Sequence, residues 1–239
     1  MIPKVIHYCW FGGKSKSKLI RKCIKSWKKY CPDFEIKEWN ESNFNFSQSV
    51  YATQAYKEKK WAFVSDYARF VVLKKYGGIY LDTDVELLKP LDDELLSFDF
   101  VGFEDEKNVA CGLIMGSHQD SYICDAMLKS YQNDVFLKND GKLNLITVCQ
   151  RMTELLKAKG LILNNTCQQI DSLKIYDSRY FNPKGIDGKG KITEVAYSVH
   201  HYNASWYTPK EKLIKFLGPK LTKKIVGILH KLKNNHEEN

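Results

Sequence analysis

The chain has 239 residues, 44% of them hydrophobic, which suits one α/β domain with a sizeable core. It holds no apolar run of the roughly eighteen residues that a membrane-spanning helix needs, and its first residues lack a signal-peptide layout, so a cytoplasmic protein is expected. The net charge is +9, but residues 210–233 hold eight lysines against the single acid Glu211, and the remainder is too nearly balanced to suggest a nucleic-acid groove.

Residues 5–10 read as a first strand that runs into Gly12-Gly13, where the backbone can approach a ligand closely. His7 lies within that apolar run and reads as a hydrogen-bonded core histidine. Trp10 at its end reads, on pattern alone, as a core aromatic. Residues 16–30 are helical, with Leu19, Cys23, Ile24 and Trp27 on one face and lysines opposite. Residues 34–39 alternate as a second strand. This β-α-β start predicts a mostly parallel sheet with a right-handed crossover. Asn40 and Asn43 follow at the carboxyl end of that strand, where open α/β sheets bind ligands; a plain turn asparagine is the competing reading of Asn43. Residues 44–56 are polar and aromatic, a small helical excursion or a flap, and 57–60 form a solvated charge run.

Residues 61–84, WAFVSDYARFVVLKKYGGIYLDTD, organise the rest. Residues 65–76 read as a helix opened by Asp66, and Gly77-Gly78 stops it. Residues 79–81 form a short buried strand that delivers Asp82-Thr83-Asp84. In an extended segment, residues two apart share a face, so both carboxylates aim at one point. Such a pair calls for positive charge, and a hard cation, Mg²⁺ or Mn²⁺, completed by substrate phosphates, supplies it. Asp66 and Arg69, three apart, share a helix face, and Arg69 offers a planar fork suited to phosphate or carboxylate. Together these features suggest a site for a nucleotide diphosphate.

Pro90 ends the segment that leaves this region. Residues 98–103 and 111–115 read as strands, and the charged loop 104–108 between them is placed to reach a sugar or an acceptor. Residues 122–131 and 143–157 read as covering helices, with Asn144 and Thr147 as acceptor-side candidates. Residues 160–193 read as loops with short strands near 161–163 and 174–176. Alternation through Val195, Tyr197 and Val199 predicts a strand delivering His200-His201, then Ser205-Trp206. Neighbouring histidines on a strand face opposite ways, so at most one is a direct metal ligand. From residue 221, Leu221, Ile225, Ile228, Leu229 and Leu232 have helical spacing with lysines opposite, the pattern of a basic amphipathic helix that lies on an anionic membrane or packs on its own domain. The expected division is a catalytic domain over residues 1–208 and a helical tail over 209–239. The seven cysteines form no Cys-x-x-Cys pair, so reduced and mostly buried thiols are expected.

The pattern Ala62-x-x-Ser65-Asp66-x-x-Arg69, Leu73, Gly77-Gly78-x-Tyr80-x-Asp82-x-Asp84 resembles the DXD-containing sugar-binding region of the family 32 glycosyltransferases. These include Golgi mannosyltransferases and bacterial capsular or lipopolysaccharide sugar transferases; the glucosylating domains of large bacterial toxins are similar over the same stretch. The opening Ile2-Pro3-Lys4 to His7 and Trp10, and the late His200-His201-x-x-x-Ser205-Trp206, resemble the same family, with Tyr202 where many members carry Trp. The resemblance implies a GT-A-type (Rossmann-like) single catalytic domain, a nucleotide-sugar donor, a divalent Mn²⁺ or Mg²⁺ and retention of anomeric configuration. It implies that Trp10 stacks near the donor base and that Asn43 (or Asn40) lies near the donor. Asp66 and Arg69 would hold sugar hydroxyls or a phosphate, and Tyr80 would meet the diphosphate. Asp84 would bind the metal directly and Asp82 directly or through water. His200 or His201, with Ser205, would close the metal site, and Trp206 would pack beside the phosphates. The expected function is hexose transfer, from a UDP-sugar first and GDP-mannose second, to a glycan or lipid-linked glycan acceptor in bacterial surface polysaccharide synthesis, with membrane contact through the tail. The rivals are a metal-dependent phosphohydrolase or nucleotidyltransferase, and a binding module for glycan or nucleic acid.

Overall fold

β1 (Val5–Cys9) is the strand on which the sheet is built. β2 (Glu35–Trp39) lies parallel on one side of it in the register Val5 to Glu35, and β3 (Gly78–Tyr80) lies parallel on the other. The computed structural model describes residues 1–203, of which Met1–Tyr202 form one unit. The predicted tail helix therefore lies outside the described residues.

Between β1 and β2 runs α1 (Lys18–Tyr30), whose N-terminus is capped by the Ser17 hydroxyl accepting from the Ile20 amide. The excursion after β2 is a short 3-10 turn, Phe46–Gln48, followed by α2 (Val50–Lys57) and α3 (Trp61–Tyr76). After β3 come β4 (Val85–Leu87), α4 (Asp93–Leu96), β5 (Asp99–Phe103), β6 (Val109–Ala110), β7 (Met115–Ser117), α5 (Tyr122–Tyr131) and α6 (Val148–Lys157). The described part closes with β8 (Gln168–Ile170), β9 (Leu173–Tyr176), α7 (Ser178–Phe181) and β10 (Ser198–His200).

Among the described residues the larger sheet runs β2-β1-β3-β7-β5-β9-β8, with β6 on β5; β10 and β4 form a separate antiparallel pair. β1, β2, β3, β5 and β9 share one direction, and β6, β7 and β8 run against them. This is the α/β architecture with a mostly parallel central sheet that the β-α-β opening predicts. Alternation splits the core into two faces. Ile79 and Leu81 join Trp27, Leu87 and Phe100 on the α1 side, whereas Tyr80 joins Phe70, Val101 and Phe103 under α2, α3, α5 and α6.

Several predicted boundaries move. The helix expected at residue 65 begins at Trp61, because Trp61, Phe63 and Val64 pack into the core, so Asp66 sits in its second turn and does not open it. The strand expected over 111–115 is divided: residues 111–113 form a turn, with β6 before it and β7 after. The helix expected from 143 starts at Val148, where Thr147 and Gln150 make a capping box. Residues 161–163 are not a strand; β8 lies at 168–170.

The α3–β3 corner shows why two glycines are required. Gly77 has φ 62° and Gly78 φ 101°. A Cβ on Gly78 would lie 2.7 Å from the Val5 carbonyl and 3.0 Å from His7 Nε2, so this corner sits directly against β1.

His7 is the core histidine expected. It is fully buried, its Nε2 donates to the Gly77 carbonyl at 2.9 Å, and its Nδ1 accepts from Trp39 Nε1 at 3.1 Å. Those partners require the neutral ring, and burial pushes its pKa down to about 4. A histidine depressed in the folded state stabilises fully above its unfolded pKa and loses that contribution as pH falls through 6.5 toward 4. Urea titrations at pH 7.5 and pH 4 should show the wild type losing about 3 kcal/mol more than His7→Gln; equal losses would mean that the ring is not held neutral.

Candidate active site

α3 is buried on most of its faces, so its two charged residues near the sheet must satisfy each other in the interior. Arg69, 2% exposed, donates from Nη2 to Asp66 Oδ1 at 2.7 Å and to Asp82 Oδ1 at 3.3 Å. Its guanidinium carbon lies 4.6 Å from the Tyr80 ring centre, and its Nε donates to the Ser65 carbonyl at 3.3 Å. Burial works against the guanidinium, but the charges of Asp82, Tyr80 and Asp66 raise its pKa well above the ordinary value. Asp66 is pushed up to about 6 by burial, against Arg69 and a hydrogen bond from the Val148 amide at the start of α6. Burial likewise raises Asp82, again against Arg69. Gly112 leaves room for this cluster: a Cβ there would lie 2.2 Å from Asp82 Oδ2 and 3.1 Å from Arg69 Nη1, and its carbonyl accepts from the Asp82 amide.

The acid pair does not lie on an extended segment. β3 ends at Tyr80, and residues 82–85 form a tight turn closed by the Val85 amide donating to the Asp82 carbonyl at 3.0 Å. The turn sends the two carboxylates to different partners. Asp82 meets Arg69, whereas Asp84, 4% exposed, faces His200 with Oδ1 and Nε2 3.0 Å apart. The pairing of β10 with β4 sets this contact, placing His200 opposite Val85, and the His201 amide donates to the Asp84 carbonyl. α1 holds β4 from beneath: Trp27 Nε1 donates to the Val85 carbonyl at 2.8 Å and Ser26 Oγ accepts from the Leu87 amide.

The two histidines separate as strand geometry requires. Burial lowers the His200 pKa, but the hydrogen bond and charge of Asp84 more than offset this and raise it. His200 Nδ1 has no partner among the described residues. His201 turns to Glu86 at 2.8 Å, where Lys22 Nζ also binds. The structure thus brings Asp66, Arg69, Tyr80, Asp82, Asp84 and His200 to the carboxyl edge of the sheet and takes His201 to a neighbouring ion pair.

Trp10 is partly buried, with Nε1 donating to the Lys14 carbonyl at 2.6 Å and Lys16 Nζ 5.3 Å from its ring centre. Asn43 is exposed and spends its amide on its own loop, accepting from the Asn40 amide at 2.9 Å and donating to the Glu38 carbonyl at 2.8 Å. Tyr80 is 1% exposed and lies beneath Arg69, with its hydroxyl at the Cys9 thiol. Ser205 and Trp206 lie outside the described residues. Pattern reading gave no role to Asn182, to Cys111, 3.8 Å from Arg69 Nη1, or to Gly112, and it treated Glu104 only as part of a charged loop. Glu104 was legible by the rule that found Asp82, as the first polar residue after a buried strand.

The class of enzyme comes from similarity to known sequences, which points to sugar transfer. Residues 17–101 match the family described as the glycosyltransferase sugar-binding region containing DXD motif. An uncharacterized glycosyltransferase of Acanthamoeba polyphaga mimivirus is 29% identical over 233 residues, covering 90% of this chain and 87% of that protein. Inositol phosphoceramide mannosyltransferase 3 of Schizosaccharomyces pombe is 30% identical over 102 residues, 38% of this chain and 26% of the yeast protein. Among solved structures, PaToxG glycosyltransferase superposes with a TM-score of 0.49 at 20% identity, covering 66% of this chain and 70% of that one. Over residues 17–101 the chain is similar to the DXD-motif glycosyltransferases, and its long match to the mimivirus protein is to a glycosyltransferase as well.

Removing the guanidinium strands two buried carboxylates. Arg69→Met should destabilise the fold by about 3–5 kcal/mol in urea denaturation. Adding Asp66→Asn and Asp82→Asn should recover most of that loss; no recovery would mean that Arg69 acts by packing instead of charge.

Proposed function

We infer that the chain transfers a hexose from a nucleotide-diphosphate sugar to a glycan acceptor with the help of a divalent cation, and that the Asp82–Asp84 turn with His200 forms the diphosphate end of the site. The observation that carries this reading is the pairing of Asp84 with His200 beside a second carboxylate that Arg69 already holds. A carboxylate and an imidazole suit Mn²⁺, and carboxylates suit Mg²⁺. Among the described residues no three of His, Cys, Asp and Glu make a ready cluster. The remaining ligands of a hard cation here would have to come from phosphate and water. His200 Nε2 already faces Asp84 Oδ1, so the proton between them would leave when the cation enters.

Asp84 and His200 would hold the cation, with Asp82 joining directly or through water. When bound, it supplies Lewis-acid stabilisation of the departing diphosphate. Asp82 and Asp66, fixed by Arg69, would offer oxygens to sugar hydroxyls, and the buried Arg69 would act through the two carboxylates it holds. Trp10 presents a ring for the base. Asn43 acts by shaping the loop after β2, because both of its polar groups are engaged there. Tyr80, buried beneath Arg69, orients the guanidinium. Retention of configuration is part of this reading, by front-face transfer without a covalent intermediate.

A UDP-linked hexose is the first choice of donor. GDP-mannose is the second, supported by the short match to yeast mannosyltransferases. A surface-polysaccharide acceptor is part of this reading and rests on the motif resemblance of residues 62–84 alone. No helix among the described residues is long and apolar enough to cross a membrane. A peripheral location at the inner face of the membrane would rest on the lysine-rich residues 210–233.

Asp84→Asn should abolish Mn²⁺-dependent release of UDP or GDP from the sugar nucleotide, a rise of at least ~3 kcal/mol in the barrier. Near-normal rates would refute the metal role. Trp10→Ala should weaken nucleotide binding by roughly 1–3 kcal/mol in calorimetry, the scale of base stacking on an aromatic ring. Unchanged affinity would make Trp10 a packing residue only.

A further inference from the structure

Glu104 directly follows the last residue of β5 and stands at the same carboxyl edge as Asp82. It is partly exposed, its Oε1 accepts from the Tyr202 hydroxyl at 3.1 Å, and its Oε2 has no hydrogen bond among the described residues. No lysine or arginine among those residues hydrogen-bonds it. Burial raises its pKa, opposed by the hydrogen bond from Tyr202 and the charge of His200, with the charges of Asp105 and Asp82 adding to the rise. A carboxylate in this position is normally given a cation or left to water.

Two further residues hold it. Tyr202 has φ 48°, a left-handed backbone that an aromatic residue adopts only under constraint, and its ring centre is 4.1 Å from that of His200. Asn182, 2% exposed, donates from Nδ2 both to the Tyr202 hydroxyl at 2.8 Å and to the Glu104 carbonyl at 2.9 Å. Its Oδ1 is buried without a partner among the described residues. A strained tyrosine and a half-satisfied buried amide are both unfavourable, and both fix the position of one carboxylate oxygen while the other stays open.

We propose that Glu104 contacts substrate, accepting a hydrogen bond from a sugar hydroxyl through its free oxygen, and that Tyr202 and Asn182 are its positioning residues. The chemistry matches: a carboxylate without a cation is a strong acceptor for a neutral hydroxyl. The inference rests on the glycosyltransferase reading of this edge. The hydroxyl belongs either to the donor hexose or to the acceptor, and the test below separates the two.

The full chain and its Glu104→Gln and Tyr202→Phe variants are compared with Mn²⁺ and UDP, GDP, UDP-glucose or GDP-mannose by calorimetry, and in turnover with water and with methyl hexosides as acceptors. Glu104→Gln keeps the shape and an acceptor for Tyr202. If the hydroxyl is the donor's, Glu104→Gln weakens sugar-nucleotide binding about 10- to 100-fold and leaves the bare nucleotides unchanged. If it is the acceptor's, all nucleotide affinities hold, and kcat/KM for the methyl hexoside falls by a similar factor while hydrolysis by water persists. Tyr202→Phe should show a smaller loss of the same kind, roughly 3- to 10-fold, and add nothing in the Glu104→Gln background. Wild-type behaviour of Glu104→Gln in every arm overturns the proposal, as does full additivity of the two variants. Failure of the wild type itself to bind UDP or GDP overturns the parent reading, and this one with it.

Discussion

The site depends on one buried guanidinium held between two carboxylates. Arg69 lies on a helix with little exposed surface, so it has no route to water and must find its counter-charges inside. Asp66 comes from its own helix, one turn earlier; Asp82 comes from the far side of the Gly77-Gly78 corner. The same ion pairs therefore lock α3 to the end of β3 and set where the next turn begins. Breaking such a group leaves uncompensated charge in a low-dielectric interior, whereas a complete group is close to neutral for stability. The arrangement is better understood as fixing geometry than as adding stability.

That constraint explains what the sequence made legible and what it did not. The Asp66–Arg69 spacing and the double glycine were readable because helix periodicity and positive φ are local rules, and both act within residues 61–84. The strand–helix–strand opening was readable for the same reason, since the nearly continuous apolar run at 5–9 and the alternation at 34–39 are local signals. The relation between Asp82 and Asp84 was misread as an extended pair. Nothing local announces that residues 82–85 turn; the turn follows from β4 having to leave β3 and pair with β10, more than a hundred residues later. The same long-range pairing selects His200 over His201, a choice that strand alternation left open. Boundaries such as 111–115 failed because Gly112 is needed as space for Asp82, a demand visible only once the two segments meet.

The turn changes the chemistry that the motif can do. An extended Asp-x-Asp would present two equivalent carboxylates. Here they are different: Asp82 is neutralised on one side by Arg69, and Asp84 is poised against an imidazole whose second nitrogen has no partner among the described residues. One acid is thereby committed to a fixed position by Arg69, while the other is held by an imidazole.

The charge balance of the edge points the same way. Asp66, Asp82, Asp84 and Glu104 lie at this edge against the guanidinium of Arg69 and the imidazole of His200, so carboxylates outnumber basic groups there. Such an edge repels a pyrophosphate in the absence of added positive charge. On the proposed reading a divalent ion would cancel that excess and leave Glu104 to engage a neutral hydroxyl. Burial raises both Glu104 and Asp66, the latter to about 6, so each is a stronger hydrogen-bond acceptor than an exposed carboxylate. On the proposed reading, such an edge would suit a substrate with a pyrophosphate at one end and several hydroxyls at the other, as a sugar nucleotide has.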